Sequence, residues 1–191
     1  MALLSSPPPA LILIDFQTGF DQVDYWGKER NNPGAENNAG ALLQLWRQKG
    51  WPVFHVQHCS TNPASLLATT NAGNAFKTEV LPLPGEPVIK KQVNSAFIGT
   101  DLKEQLDNAG ITQLVLTGLT TDHCVSTTAR MAGNFGFDTY VVADATATFD
   151  KTAPAGEHFS AATIHSTALA SLHGEFATVL NTADVLTGLR G

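Results

Sequence analysis

Thr112 to Asp144 reads "TQLVLTGLTTDHCVSTTARMAGNFGFDTYVVAD" and changes periodicity twice. "TQLVLTG" is a short, continuous apolar run, the pattern of a strand buried on both faces. "HCVSTTARMAGNFG" is a helix that closes at Gly136. "FDTYVVAD" returns to aromatic and β-branched residues and is a second strand, ending at Asp144. A strand, a helix and another strand in close succession form the unit from which parallel sheets are built.

The same alternation runs outward in both directions. Upstream, "ALILID" (Ala10 to Asp15) is another continuous apolar run. "AENNAGALLQLWRQKG" follows as a helix with Leu42, Leu45 and Trp46 on one stripe and Gly50 as its stop. "PVFHVQ" (Pro52 to Gln57) is a second strand, with Pro52 tolerated at its start. Residues 58 to 87 are rich in Asn, Pro, Thr and Gly and form a long irregular excursion of the kind used for lids and binding loops. "EPVIKK" is a short strand and "TDLKEQLDNAG" a helix ending at Gly110. Downstream, "SAATIHSTALASLHG" is a helix, "EFATVL" a last strand, and a short helix begins near Thr182. The prediction is a single domain over residues 1–191. It is a three-layer α/β/α fold with a doubly wound, mostly parallel, Rossmann-like sheet of about six strands.

Composition excludes several classes. Apolar residues make up 43% and charged residues 15% of the 191, ordinary values for a globular enzyme. The formal net charge is −6 and no basic run or stripe occurs, so no nucleic acid partner is expected. No apolar stretch approaches the roughly 20 residues of a membrane span, so no membrane partner is expected. "MALLSSPPPA" has no basic leader and reads as a loose lead-in rather than a signal peptide. Two cysteines, Cys59 and Cys124, make no disulfide framework, and a cytoplasmic location follows.

Open parallel sheets bind ligands beyond the carboxyl ends of their strands. Asp15, His58 and Cys59, Lys91, Gly118 to Cys124, and Asp144 all fall there. Cys124 would sit in the first turn of its helix, where unpaired N–H groups and the dipole favour thiolate, a nucleophile. The same N–H groups can hold the oxyanion formed when it attacks a carbonyl. Asp15, partly buried beside a thiol and a lysine, suits a general base. Lys91 would lower the thiol pKa and offset developing negative charge. Read singly, each has a structural alternative: an inert packed thiol, a loop cap, a solvated charge beside Lys90.

Three blocks together resemble the isochorismatase-like cysteine hydrolases, a family that includes nicotinamidases, N-carbamoylsarcosine amidohydrolase and streptothricin hydrolase. They are "LILIDFQTGF", "VIKKQVNSAFIGTDL" and "LVLTGLTTDHCVSTTARMAGNFGFDTYVVADATATFD", and they span most of the chain. The resemblance implies a catalytic triad of Asp15, Lys91 and Cys124, with Lys91 rather than Lys90 identified by counting back from Ser95. It implies a cis peptide between Leu119 and Thr120 and an oxyanion hole from the N–H groups of Thr120 and Cys124. It further implies hydrolysis of a small-molecule amide, lactam or carbamoyl C–N bond through a thioester, in a homo-oligomer, dimer or tetramer.

Two departures from the family pattern bear on the substrate. Nicotinamidases of the family hold zinc through an Asp-x-His pair and a further histidine after the second strand. Here the stretch is "HVQHCSTNP", with His55 and His58 but no Asp-x-His, so no metal and no cofactor are expected. Members that cleave the vinyl ether of isochorismate lack the cysteine, and Cys124 argues against that alternative. A non-catalytic thiol redox or binding protein is the other alternative, and it gives Asp15 and Lys91 no coordinated role. Gln17, Phe20, Trp26, His58, Phe97 and His123 are candidate pocket residues. His123 adjoins Cys124, but neighbours on a helix point about 100° apart, which disfavours a dyad.

Overall fold

The computed structural model describes residues 7–188; most of the "MALLSSPPPA" lead-in lies outside them. In chain order the elements are β1 (Ala10–Ile14), α1 (Val23–Trp26), α2 (Ala35–Lys49), β2 (Val53–His58), β3 (Val88–Lys91) and α3 (Leu102–Asn108). They continue with β4 (Gln113–Leu119), a π-helical turn (Thr121–Val125), α4 (Ser126–Asn134), β5 (Asp138–Ala147) and the short β6 (Lys151–Thr152) and β7 (His158–Phe159). α5 (Ala161–Leu172), β8 (Thr178–Leu180) and α6 (Thr182–Gly188) complete the chain. Six strands form one parallel sheet in the order β3-β2-β1-β4-β5-β8, while β6 and β7 pair antiparallel beside it.

The apolar run of β1 explains the layering. Successive side chains of a strand point to opposite faces. Leu11 and Leu13 enter one core with Phe16, Leu42, Leu43 and Trp46 of α2. Ala10, Ile12 and Ile14 enter the other with Leu102 and Leu106 of α3, Val125 of the π-helical turn, and Ala129 and Ala132 of α4. Each fully buried Leu or Ile contributes about 1.5–3 kcal/mol, so a strand apolar at every position anchors both layers. Trp46 also donates its indole N–H to the carbonyl of Pro9, 2.9 Å away. Gly50 ends α2 in the left-handed conformation (φ 64°).

One strand end lies beyond its expected place. β5 does not end at Asp144 but runs on to Ala147, after a register irregularity against β4 between Leu116 and Gly118. Asp144 therefore lies within the strand, and its Oδ1 accepts from the N–H and hydroxyl of Thr182, capping α6. The β6–β7 hairpin and α1 carry too few residues for a periodic signal. The 58–87 excursion is irregular apart from two 3₁₀ turns, Ala72–Asn74 and Thr78–Val80. No described helix is long and apolar enough to cross a membrane.

Candidate active site

The carboxyl ends of β3, β2, β1 and β4 meet at one rim. Asp15 follows β1 directly, its N–H donating to Val56 O (3.0 Å) and its φ at +53°, an uncommon value for a residue with a side chain. Its side chain is fully buried. Lys91 closes β3, whose alternation turns Val88 and Lys90 outward and Ile89 and Lys91 inward. That period of two separates Lys91, 1% exposed, from its neighbour Lys90. His58 closes β2 and stands opposite Lys91 in register.

Lys91 Nζ is the hub of the cluster. It lies 2.6 Å from Asp15 Oδ2, 2.9 Å from His58 Nδ1 and 3.3 Å from Cys124 Sγ. One carboxylate oxygen of Asp15, a ring nitrogen of His58 and the Cys124 sulfur fall within 4.8 Å of one another, a spacing that could hold a metal ion. The Lys91 ammonium stands among those donors and fills the same electrostatic role. Burial works against its charge, yet the Asp15 carboxylate and Cys124 outweigh it and raise the Lys91 pKa. Asp15 Oδ1 is buried and has no hydrogen-bond partner among the described residues.

Cys124 sits in the π-helical turn, not in the first turn of α4, and Thr120 precedes that turn in extended conformation. The expected thiolate is corrected accordingly. Burial, reinforced by the Asp15 carboxylate, pushes the thiol pKa above its ordinary value against the opposing pull of Lys91. Cys124 is 8% exposed. Asn94, which sequence reasoning missed, approaches the sulfur with Oδ1 at 3.8 Å. The Leu119–Thr120 peptide is cis. The Thr120 hydroxyl is buried with no partner among the described residues.

The other candidate residues divide. His58 joins the cluster; burial, then the Lys91 cation, holds its pKa below the ordinary value against Asp15. Gln17 is fully buried. Its amide accepts from His58 N–H (2.9 Å) and donates to the carbonyls of His58 (3.1 Å) and Asn74 (2.9 Å), clamping the end of β2. Phe20 is likewise buried, its ring 4.6 Å from Trp26 and 6.1 Å from Phe149. Trp26 is half-buried and donates its indole N–H to Gly19 O at 2.9 Å. A depression of about 510 Å³ lies beside these aromatics, lined by Thr18, Gly19 and Tyr25 among others, and does not include the Asp15–Lys91–Cys124 cluster. Phe97 is removed from the site: it packs on Phe135 and Phe137, beyond the far end of α4 from Cys124. His123 is largely exposed, 3.4 Å from Asp122 rather than in a dyad with Cys124. His55 is buried in β2 and bonded to Glu86 at 2.8 Å.

A second support was also missed. The Thr121 hydroxyl and His165 Nδ1 of α5 lie 2.9 Å apart, tying α5 to the cysteine turn. Contacts of this kind between distant elements have no local sequence signature.

The parallel α/β sheet, with a buried acid, lysine and thiol at its carboxyl rim, and the family match over most of the chain place it among the hydrolases. The chain belongs to the isochorismatase family: the isochorismatase domain model matches residues 9–184. It is 52% identical over 177 residues to the isochorismatase-family protein YrdC of Bacillus subtilis strain 168, covering 93% of this chain and 94% of that one. It is 34% identical over 151 residues to maleamate amidohydrolase of Pseudomonas putida, covering 70% of each. Among solved structures, a hydrolase of the isochorismatase family from Chromobacterium violaceum superposes with a TM-score of 0.94 at 45% identity, covering 98% of this chain and 96% of that one.

Proposed function

We propose that the chain is a cofactor-free amidohydrolase that cleaves a C–N bond of a small amide, lactam or carbamoyl compound through a thioester on Cys124. The observation that carries this reading is the Lys91 ammonium, 2.6 Å from a buried Asp15 carboxylate and 3.3 Å from the Cys124 sulfur, with Asp15 Oδ1 left unpartnered. The similarity to maleamate amidohydrolase supports an amide as the substrate class.

In the proposed sequence the Cys124 S–H proton passes to Asp15 as the sulfur attacks the carbonyl carbon. The carbonyl π pair moves onto oxygen, where the backbone N–H groups of Thr120 and Cys124 receive it. The C–N bond breaks, the amine takes the proton from Asp15, and a thioester remains. Water then adds to the thioester with Asp15 as base, and collapse releases the acid and returns the proton to sulfur. Lys91 stays an ammonium throughout. It offsets the negative charge that shifts from carboxylate to sulfur and back, a role suited to a buried site where charges interact strongly.

The test is a panel of small amides assayed for release of ammonia or amine, run beside Cys124→Ala and Asp15→Asn. Turnover by the wild-type chain and loss of at least about a thousandfold in both variants is the expected result, in line with removal of a nucleophile or its base. Hydrolysis that survives Cys124→Ala rules out the thioester.

A further inference from the structure

His58 offers two ring nitrogens, and the fold engages one of them. Nδ1 lies 2.9 Å from Lys91 Nζ. The backbone of His58 is fixed on both sides: its N–H donates to Gln17 Oε1 at 2.9 Å, and its carbonyl accepts from Gln17 Nε2 at 3.1 Å and from Asn74 Nδ2 at 2.8 Å. The backbone from which the ring projects is thus held in place beside the active site.

The protons can be assigned. An ammonium has three N–H donors and no acceptor, and Lys91 meets three acceptors: Asp15 Oδ2, His58 Nδ1 and Cys124 Sγ. Nδ1 must therefore present its lone pair, and the proton of the neutral ring sits on Nε2. Among the described residues nothing accepts from Nε2, although the ring is only half-buried and stands next to the slightly exposed Cys124. A donor left open beside a nucleophile, on a side chain this firmly positioned, is suited to a ligand.

We propose that Lys91 holds His58 as the Nε2–H tautomer and that this N–H donates to a second acceptor on the substrate, a few bonds from the scissile carbonyl. The inference deepens the amidohydrolase reading and rests on it. It assigns the substrate class more narrowly: short amides that carry a carboxylate or second carbonyl, in preference to plain aliphatic amides. His58 approaches from the end of β2, whereas the Thr120 and Cys124 N–H groups follow β4, with β1 between them. The Thr120 and Cys124 N–H groups are already assigned to the carbonyl oxygen in the proposed sequence, which leaves the Nε2–H for a different acceptor. A site built to satisfy a hydrogen-bonding substituent rejects the analogue that lacks it, because the donor is then left unpaired.

Two variants separate the ring nitrogens. His58→Asn keeps an acceptor near the Nδ1 position and removes the Nε2–H, whereas His58→Gln keeps a donor near Nε2 and removes the Nδ1 acceptor. The substrates are the monoamide of a short dicarboxylic acid and the matched amide with a methyl group in place of the carboxylate. For the wild-type chain kcat/KM should favour the acid by about ten- to hundredfold, the value of one hydrogen bond to a charged group. His58→Asn should bring that ratio close to one, and His58→Gln should retain most of it. The reverse order, or a wild-type enzyme that does not discriminate, overturns the substrate role. Nitrogen-15 NMR of the histidine rings tests the tautomer without any substrate: Nε2–H at neutral pH is expected, and Nδ1–H overturns the assignment. Hydrolysis of neither amide nor any other in the panel refutes the amidohydrolase reading and the substrate role with it, while the NMR result still decides the tautomer.

Discussion

Lys91 Nζ and Asp15 Oδ2 are 2.6 Å apart, and neither side chain is exposed to solvent. Two opposite charges taken out of water together roughly balance their desolvation against their attraction, but one charge left alone does not. Their contribution to function and their liability for folding are therefore inseparable.

Lys91→Met leaves a buried carboxylate unpaired. It should cost about 3–5 kcal/mol, which lowers the melting temperature by roughly 6–20 °C for a chain of this size. Adding Asp15→Leu to it should recover part of that loss while hydrolysis stays absent. Thermal melts of the two variants beside wild type decide the point. A single variant as stable as wild type would show the pair to be solvated in solution.

The state of Cys124 can be read by alkylation. Burial and the Asp15 carboxylate raise its pKa, while Lys91 opposes them. Asp15→Asn should therefore lower the thiol pKa and speed reaction with iodoacetamide at pH 7 by several-fold, even as it abolishes hydrolysis. Lys91→Met should slow alkylation. Both are measured in a Cys59→Ala background, since Cys59 is the second free thiol. An Asp15→Asn protein alkylated no faster than wild type would detach the carboxylate from control of the sulfur.

Gly118 sets how closely β4 approaches β1 at the site. Its φ is +133°, and a Cβ there would stand 2.0 Å from the carbonyl oxygen of Ile14, the residue before Asp15. The atom it would strike is backbone, so the strand itself must move. Gly118→Ala should destabilise by about 2–4 kcal/mol through combined strain and overpacking and reduce turnover by displacing Asp15. Gly34→Ala is the control, since nothing lies within 4 Å of a Cβ at that position. Urea titration of both proteins, with turnover measured on each, checks this; equal stability of the two would contradict the predicted close contact.

The layered sheet was legible because its signals are local. β1 is apolar at every residue, and each helix closes near a glycine. The acid, the lysine and the cysteine were legible because strand ends project onto one rim, so residues 15, 91 and 124 converge once the strands are placed. The remainder depends on contacts that no window of sequence contains. Gln17 looks like a polar residue near a pocket, yet it clamps His58 from 41 residues away. Phe97 follows a strand end, yet the chain turns along α4 and carries it to Phe135 and Phe137. The thiol's raised pKa likewise reflects burial and a carboxylate brought from another strand, whereas the sequence signal for thiolate rested on its position near a helix start.

Glu86 makes the acid limit of stability predictable. Burial disfavours its charge, but Arg47 in a two-pronged contact (2.7 and 2.8 Å), the Leu83 N–H and His55 outweigh it and lower its pKa from 4.5 to about 2. A carboxyl with a depressed folded-state pKa binds fewer protons when folded than when unfolded. Its contribution is therefore complete above pH 4.5 and lost as pH falls toward about 2. At about 1.4 kcal/mol per pKa unit the contribution is on the order of 3 kcal/mol. Glu86→Gln keeps much of the shape and removes the charge, so it should be less stable than wild type at pH 6 by up to this amount. The difference should shrink steadily between pH 4.5 and 2. Denaturant titrations at a series of pH values measure it; a gap that stays constant across this range would mean that Glu86 contributes through packing rather than charge.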